Sequence, residues 1–210
     1  MCSSRRRDED RSGGRTVMPR TAGGFTAVEL AITLAIAAIF GAMALPGFVN
    51  TIRDARLTTT GEQLHTDLII ARREAIKRNS GVLVCAPGNG NNVNTCAPGN
   101  SGKWGDGRLV CYADQKSPSD CATGTTTSPN PIIHRSALDA AMALSGPSAP
   151  LRFNADGTAY VMDKTRSLAT FTITGNWTGS KGYLDKVEAS GNIKLCPRDE
   201  SNPTTCKPGS

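Results

Sequence analysis

Aromatic residues make up only 5% of this 210-residue chain, while glycine (22) and proline (12) are plentiful. That balance predicts many turns and a modest core rather than a long buried sheet. The length allows one domain plus an anchor, not two ordinary globular domains. Histidine is confined to His65 and His134, and no Cys-x-x-Cys occurs. Zinc would need closer ligand pairs, so no metal site is expected. No serine sits in a nucleophile elbow, no glycine-rich loop precedes Lys-Ser/Thr, and no carboxylate pair stands out. The chain therefore does not read as an enzyme, and no cofactor is expected. The net charge of +6 is uneven, because six arginines against Asp8, Glu9 and Asp10 place half of it in the first 24 residues. The small surplus elsewhere indicates solubility rather than an obligate polyanionic partner.

Charge is also missing from one long stretch. From Phe25 to Ile52 the sequence carries Glu29 as its single charged residue. About 20 apolar residues span a bilayer, so a membrane helix is predicted over 25–50. Arg15 and Arg20 before it favour a cytoplasmic N-terminus and an exported remainder. An ordinary signal peptide is the competing reading, since Ala42-Met43-Ala44 mimics a small-x-small cleavage site. Against it stands Glu29. A carboxylate near hydrocarbon costs about 2.5 kcal/mol or more, and such residues tend to be functional.

Beyond Pro46, Leu57, Gly61, Leu64, Leu68, Ala71 and Ala75 recur at three- and four-residue steps, which predicts an amphipathic stalk helix over 51–80. Glu62, Asp67, Arg72, Arg73, Glu74, Lys77 and Arg78 fill its other faces, and His65 reads as a surface residue. The basic cluster is read as a solvated face complementing the helix dipole. Asn79-Ser80-Gly81 should end the helix. From Gly81 the period changes, and residues 81–210 read as a β-rich head. Short strands are predicted at 81–85, 108–112 and 131–134. A hairpin is expected over 151–161 with Asp156-Gly157 in its turn, then a strand at 168–174 and a last hairpin over 183–196. CAPGN occurs at 85–89 and again at 96–100, read as a duplicated turn. No helix start follows it, as a phosphate cradle would need. Residues 113–130 read as a surface excursion.

Cys2 precedes the apolar run; Cys85, Cys96, Cys111, Cys121, Cys196 and Cys206 follow it. An even number of cysteines in an exported chain reads as disulfides. Fifteen pairings are formally open to six cysteines. The local ones, 85–96, 111–121 and 196–206, are the simplest because each closes a short, turn-rich loop.

Gly24-Phe25-Thr26-Ala27-Val28-Glu29-Leu30 resembles the prepilin cleavage motif, Gly followed by Phe-Thr-x-x-Glu. The resemblance implies a leader of residues 1–24, cleavage after Gly24 by a prepilin peptidase, and N-methylation of Phe25. It places Glu29 at the family's acidic fifth mature position, whose carboxylate pairs with the N-terminal amine of a neighbouring subunit. Pro46 falls where pilins carry a helix-bending proline. Met18 would give the seven-residue leader MPRTAGG typical of the family, which leaves both Met1 and Met18 open as the start.

Over essentially the whole mature chain, the order of features resembles the GspH/FimT family of type IV minor pilins and type II secretion pseudopilins. The matching pieces are Ala71-Arg72-Arg73-Glu74-Ala75-Ile76, Val84-Cys85, Trp104 with Gly107 and Val110 before Asp114, Phe153 with Gly157, and Gly191-x-x-Lys194-Leu195-Cys196. The family fold is α+β, a long N-terminal helix packed on a two-sheet β head. The family pattern often has a second tryptophan where Arg108 stands. The resemblance implies a subunit held in the bacterial inner membrane by a single pass, head in the periplasm. It then joins other pilins or pseudopilins in a fibre.

The alternative it implies is a DNA-binding minor pilin for natural transformation. Some members of the FimT branch bind DNA through Gly-Arg-x-Arg, where this chain has Gly191-Asn192-Ile193-Lys194. Candidate DNA contacts are then Lys194, Arg198, Lys181 and Lys207, offset by Asp185, Glu188, Asp199 and Glu200.

Overall fold

The computed structural model describes residues 24–88, 95–97, 104–122, 132–163 and 168–208, with only the backbone described at 43–47. The leader through residue 23, residues 89 and 98–100 of the two CAPGN copies with the loop 90–94 between them, Pro131, and residues 123–130 of the excursion lie outside the described residues. The chain divides into two units, Met1–Pro46 and Gly47–Ser210. The stalk and head sequences belong to the second.

One helix, α1, runs Ala27–Arg78. Its start is a capping box. The Glu29 amide donates to Thr26 Oγ1 at 3.2 Å and the Thr26 amide reaches back to Glu29 Oε2 at 3.5 Å. Its end is a Schellman turn with Asn79 in the left-handed region (φ 50°). Ser80 N–H donates to Ala75 O and Asn79 N–H to Ile76 O, so two carbonyls of the last turn find partners.

Among the described residues no helix is long and apolar enough to cross a membrane. The membrane span expected over 25–50 is therefore not found among the described residues.

Among the described residues of the second unit, nine strands form two antiparallel sheets. The strands are β1 Val82–Cys85, β2 Arg108–Tyr112, β3 Ile132–Ser136, β4 Met142–Ser145, β5 Leu151–Phe153, β6 Ala159–Val161, β7 Ala169–Gly175, β8 Gly182–Val187 and β9 Ile193–Pro197. The first sheet has the order β3-β2-β1-β5-β6 and the second β4-β7-β8-β9. Strand β4 is not foreseen by the sequence pattern. It is held by β7, with Leu144 opposite Ile173.

Leu57, Leu64, Leu68, Ala71 and Ala75 of α1 are at most 1% exposed and form one cluster with inward residues of both sheets. Inside it Trp104 and Phe171 meet edge to face, ring centroids 5.2 Å apart. Strand β1 is buried on both faces. Val82 and Val84 join the helix-side core, while Leu83 and Cys85 join a second cluster with Leu109, Cys111, Cys96 and Cys121. The first sheet is thus covered by α1 on one face and by disulfide-tethered loops on the other.

At one edge the two sheets are tied by Ala159 N–H donating to Ala189 O at 3.0 Å. Gly191 turns the last hairpin there with φ +75°, and a Cβ at that position would overlap the Gly157 carbonyl oxygen. Glycine is required by both conditions.

Candidate functional site

The second unit is organised around polar contacts that flank the apolar stripe of α1, one set to each sheet. Strand β2 turns Arg108, Val110 and Tyr112 toward the helix. Arg108 pairs with Asp67, and Tyr112 OH donates to Glu74 Oε2 at 2.8 Å. The periods match: about 10 Å separates residues seven apart on a helix, and about 13 Å separates residues four apart on a strand. On the other flank, β8 offers Tyr183, whose hydroxyl lies 3.0 Å from Thr58 Oγ1. It also offers Asp185, whose oxygens lie 3.2 and 3.3 Å from His65 Nδ1.

Two sequence readings are corrected here. Asp67 is not on a solvated face; it is 4% exposed and bound to Arg108, itself 1% exposed. The signal was present, because Asp67 stands three residues after Leu64 and four before Ala71, at the edge of the buried stripe. His65 is not simply a surface residue, being half-buried against Asp185. Arg108 stands where a second tryptophan is common in the family, and the buried carboxylate explains why a charge is tolerated there.

Near Asp67 a Ser-His-Asp set assembles, with Ser136 Oγ 2.8 Å from His134 Nε2 and His134 Nε2 3.4 Å from Asp67 Oδ1. It is not a nucleophilic triad. Base catalysis needs the serine and the carboxylate on opposite ring nitrogens, and here both address Nε2. These residues line a groove of about 600 Å³ between α1 and β3.

Burial pushes the Asp185 carboxyl up to about 6, with His65 acting in the opposite sense. Burial, then Glu74, pushes the Tyr112 hydroxyl up to about 12; the same hydrogen bond is the main influence that lowers Glu74. A carboxyl raised in the fold contributes stability that is full below its unfolded value near 3.8 and lost as pH rises through about 6. Asp185→Asn should therefore unfold at higher denaturant than wild type at about pH 7.5, by on the order of 2 kcal/mol, with the gap falling to about a third of that near pH 4.5. Urea midpoints at both pH values check this. A gap unchanged with pH would assign Asp185 a purely packing role.

The remaining predicted residues lie as follows. Gly24, Phe25 and Glu29 are exposed at the start of the helix, Phe25 at 82%. Cys85 is joined to Cys96, Cys111 to Cys121 and Cys196 to Cys206. The last bridge carries its loop back to the outside of β8, where Cys196 Sγ lies 3.7 Å from Leu184 O. Lys181, Arg198 and Lys207 are brought together in a groove of about 510 Å³ that Asp199 and Glu200 share. Lys194 does not line it. It is exposed on β9, directly opposite Lys186 of β8.

The family model described as "Type II transport protein GspH" matches residues 60–201. The chain belongs to the GspH family. Among solved structures, this GspH-family chain is similar to the type IV minor pilin FimU of Pseudomonas aeruginosa. The identity is 20% and the TM-score 0.47, over 73% of this chain and 96% of that one. It is also similar to the minor pseudopilin EpsH of the type 2 secretion system of Vibrio cholerae. There the identity is 10% and the TM-score 0.44, over 67% of this chain and 96% of that one. A search of curated proteins finds no match.

Proposed function

We propose that this GspH-family chain is a non-catalytic minor subunit that assembles into a type IV pilus or a type II secretion pseudopilus. A prepilin peptidase removes the leader after Gly24, and Phe25 is N-methylated. Residues 25–50, including 43–47, anchor the subunit in the inner membrane as a single pass, and the head lies in the periplasm. Residues 51–80 are the stalk on which the head of 81–210 is built.

One observation carries this reading: the division of labour along α1. Its stripe from Leu57 to Ala75 is buried under the sheets, whereas Phe25, Val28, Leu30, Ile32, Leu34, Ile36, Ile39 and Phe40 are all exposed. Apolar exposure on that scale marks a surface covered by something else. A bilayer covers it before assembly, and packed neighbouring helices cover it afterwards. The intact mass of the membrane-derived protein should begin at Phe25 and carry about one extra methyl group. A mature start at Leu45 would restore the signal-peptide reading and overturn this one.

The grouping of Lys181, Arg198 and Lys207 favours a second reading, DNA contact during uptake. The carboxylates of Asp199 and Glu200 in the same groove weaken it. Two or three neutralised phosphates imply roughly a ten-fold loss of affinity between about 50 and 200 mM salt. Titration of labelled duplex at both salts, with Lys181→Ala/Arg198→Ala, Lys194→Ala and Asn192→Arg alongside, checks it. Tight binding at the higher salt that Lys181→Ala/Arg198→Ala abolishes would make DNA uptake the primary function.

A further inference from the structure

We propose that the four cysteines on the outer face of the first sheet form a tetrathiolate site for a soft divalent metal ion, zinc above all, whenever their two disulfides are open. The observation is a convergence of sulfurs. Cys85 and Cys111 stand on adjacent strands β1 and β2 and share the face that bears Leu83 and Leu109. Cys96 and Cys121 are brought over them by two separate loops, each pinned by an isolated bridge, Pro87 to Cys96 and Ala113 to Cys121. All four Sγ atoms lie within 4.8 Å of one another, and Cys96 Sγ is 3.7 Å from Cys121 Sγ although the two are not bonded.

A tetrahedral ion with zinc–sulfur distances of about 2.3 Å holds its ligands about 3.8 Å apart. The unbonded Cys96–Cys121 pair already has that spacing. The third bridge, Cys196–Cys206, belongs to the other sheet and is not part of the cluster. The Cα atoms of each bonded pair are 5.6 Å apart, so the side chains need to swing, not the strands. The four residues are 0–8% exposed, and the site is closed to water as structural zinc sites are. The spacing of roughly ten residues within each pair conceals the site from sequence reading, because zinc is sought in closely spaced pairs. Here the β1–β2 register closes the gap.

Oxidised, the cluster has no thiolate to offer and the loops are held covalently. Reduced, four thiols release four protons to solvent as their thiolates bind one divalent ion, and the metal holds the cysteines in place of the disulfides. The ion thus substitutes for the disulfides in a chain that has not met an oxidant.

The test uses the full chain in detergent, with its disulfides opened anaerobically by a phosphine. Each disulfide takes one phosphine and one water and yields two thiols and a phosphine oxide. Cobalt(II) is then titrated in as the probe. The expected result is a sulfur-to-cobalt charge-transfer band with tetrahedral visible bands, saturating at about one ion per chain and bleached by zinc. Cys196→Ser/Cys206→Ser should retain the band, and Cys96→Ser/Cys121→Ser should lose it. The proposal is overturned by a reduced wild type that shows no band with its thiols verified free. It is equally overturned by a band that survives in Cys96→Ser/Cys121→Ser. A reduced chain that has lost its sheet signal by circular dichroism and does not regain it with zinc overturns it too.

Discussion

Replacing Asp67 by alanine is expected to destabilise the head by about 3–5 kcal/mol, because it leaves the buried Arg108 guanidinium without its carboxylate. Arg108 is 1% exposed, and its Nη2 already lacks a hydrogen-bond partner, so Asp67 carries most of its compensation. Ser136 Oγ, which donates to Asp67 Oδ2 at 3.3 Å, loses its acceptor in the same change. Domains of this size hold only about 5–15 kcal/mol in reserve, so the single variant should be visibly compromised in denaturant midpoint and in yield. The paired change Asp67→Leu with Arg108→Met is expected to recover most or all of the loss. Taking both charges out removes the desolvation cost as well as the attraction. Chemical-denaturation midpoints of the full chain in detergent give the comparison. If Asp67→Ala costs less than about 1 kcal/mol, the pair is an ornament of the helix–sheet seam and not its anchor.

How much of this seam was legible depended on periodicity. The stripe from Leu57 to Ala75 was readable because every member is apolar and the spacing is helical. Strands β1 to β3 and β5 to β9 were readable from apolar runs and the Gly157 and Gly191 turns. Strand β4 was not: Met142-Ala-Leu-Ser carries no alternation of its own, and only its ladder with β7 makes it a strand. The partners of Asp67, Asp185 and His65 were invisible for a related reason. A charge on a helix or in a hairpin is scored as solvated until its partner is known. The partners lie 41 residues from Asp67 and 120 from His65. The cysteine cluster hides in the same way, since its four members come from two strands and two loops.

Glu29 is expected to be dispensable for insertion and indispensable for entry into the fibre, and two substitutions separate its two jobs. In the lone subunit the carboxylate caps its own helix, accepting from the Thr26 amide while Thr26 Oγ1 accepts from the Glu29 amide. Capping needs an acceptor at this position, which glutamine also supplies. Pairing with a neighbour's N-terminal amine needs the charge, which glutamine lacks. In the proposed assembly the carboxylate would pair with that amine, and the pairing would relieve the cost of a lone charge beside hydrocarbon. Both Glu29→Ala and Glu29→Gln should therefore reach the membrane at wild-type levels. Both should fall by at least about ten-fold in sheared fibres or in pull-down with other minor subunits, a loss of roughly 1.4 kcal/mol or more per incorporation step. If glutamine restores incorporation and alanine does not, Glu29 acts only as a helix cap. If both incorporate normally, neither role is needed, and the exposed apolar face of α1 must drive assembly without an ionic contact.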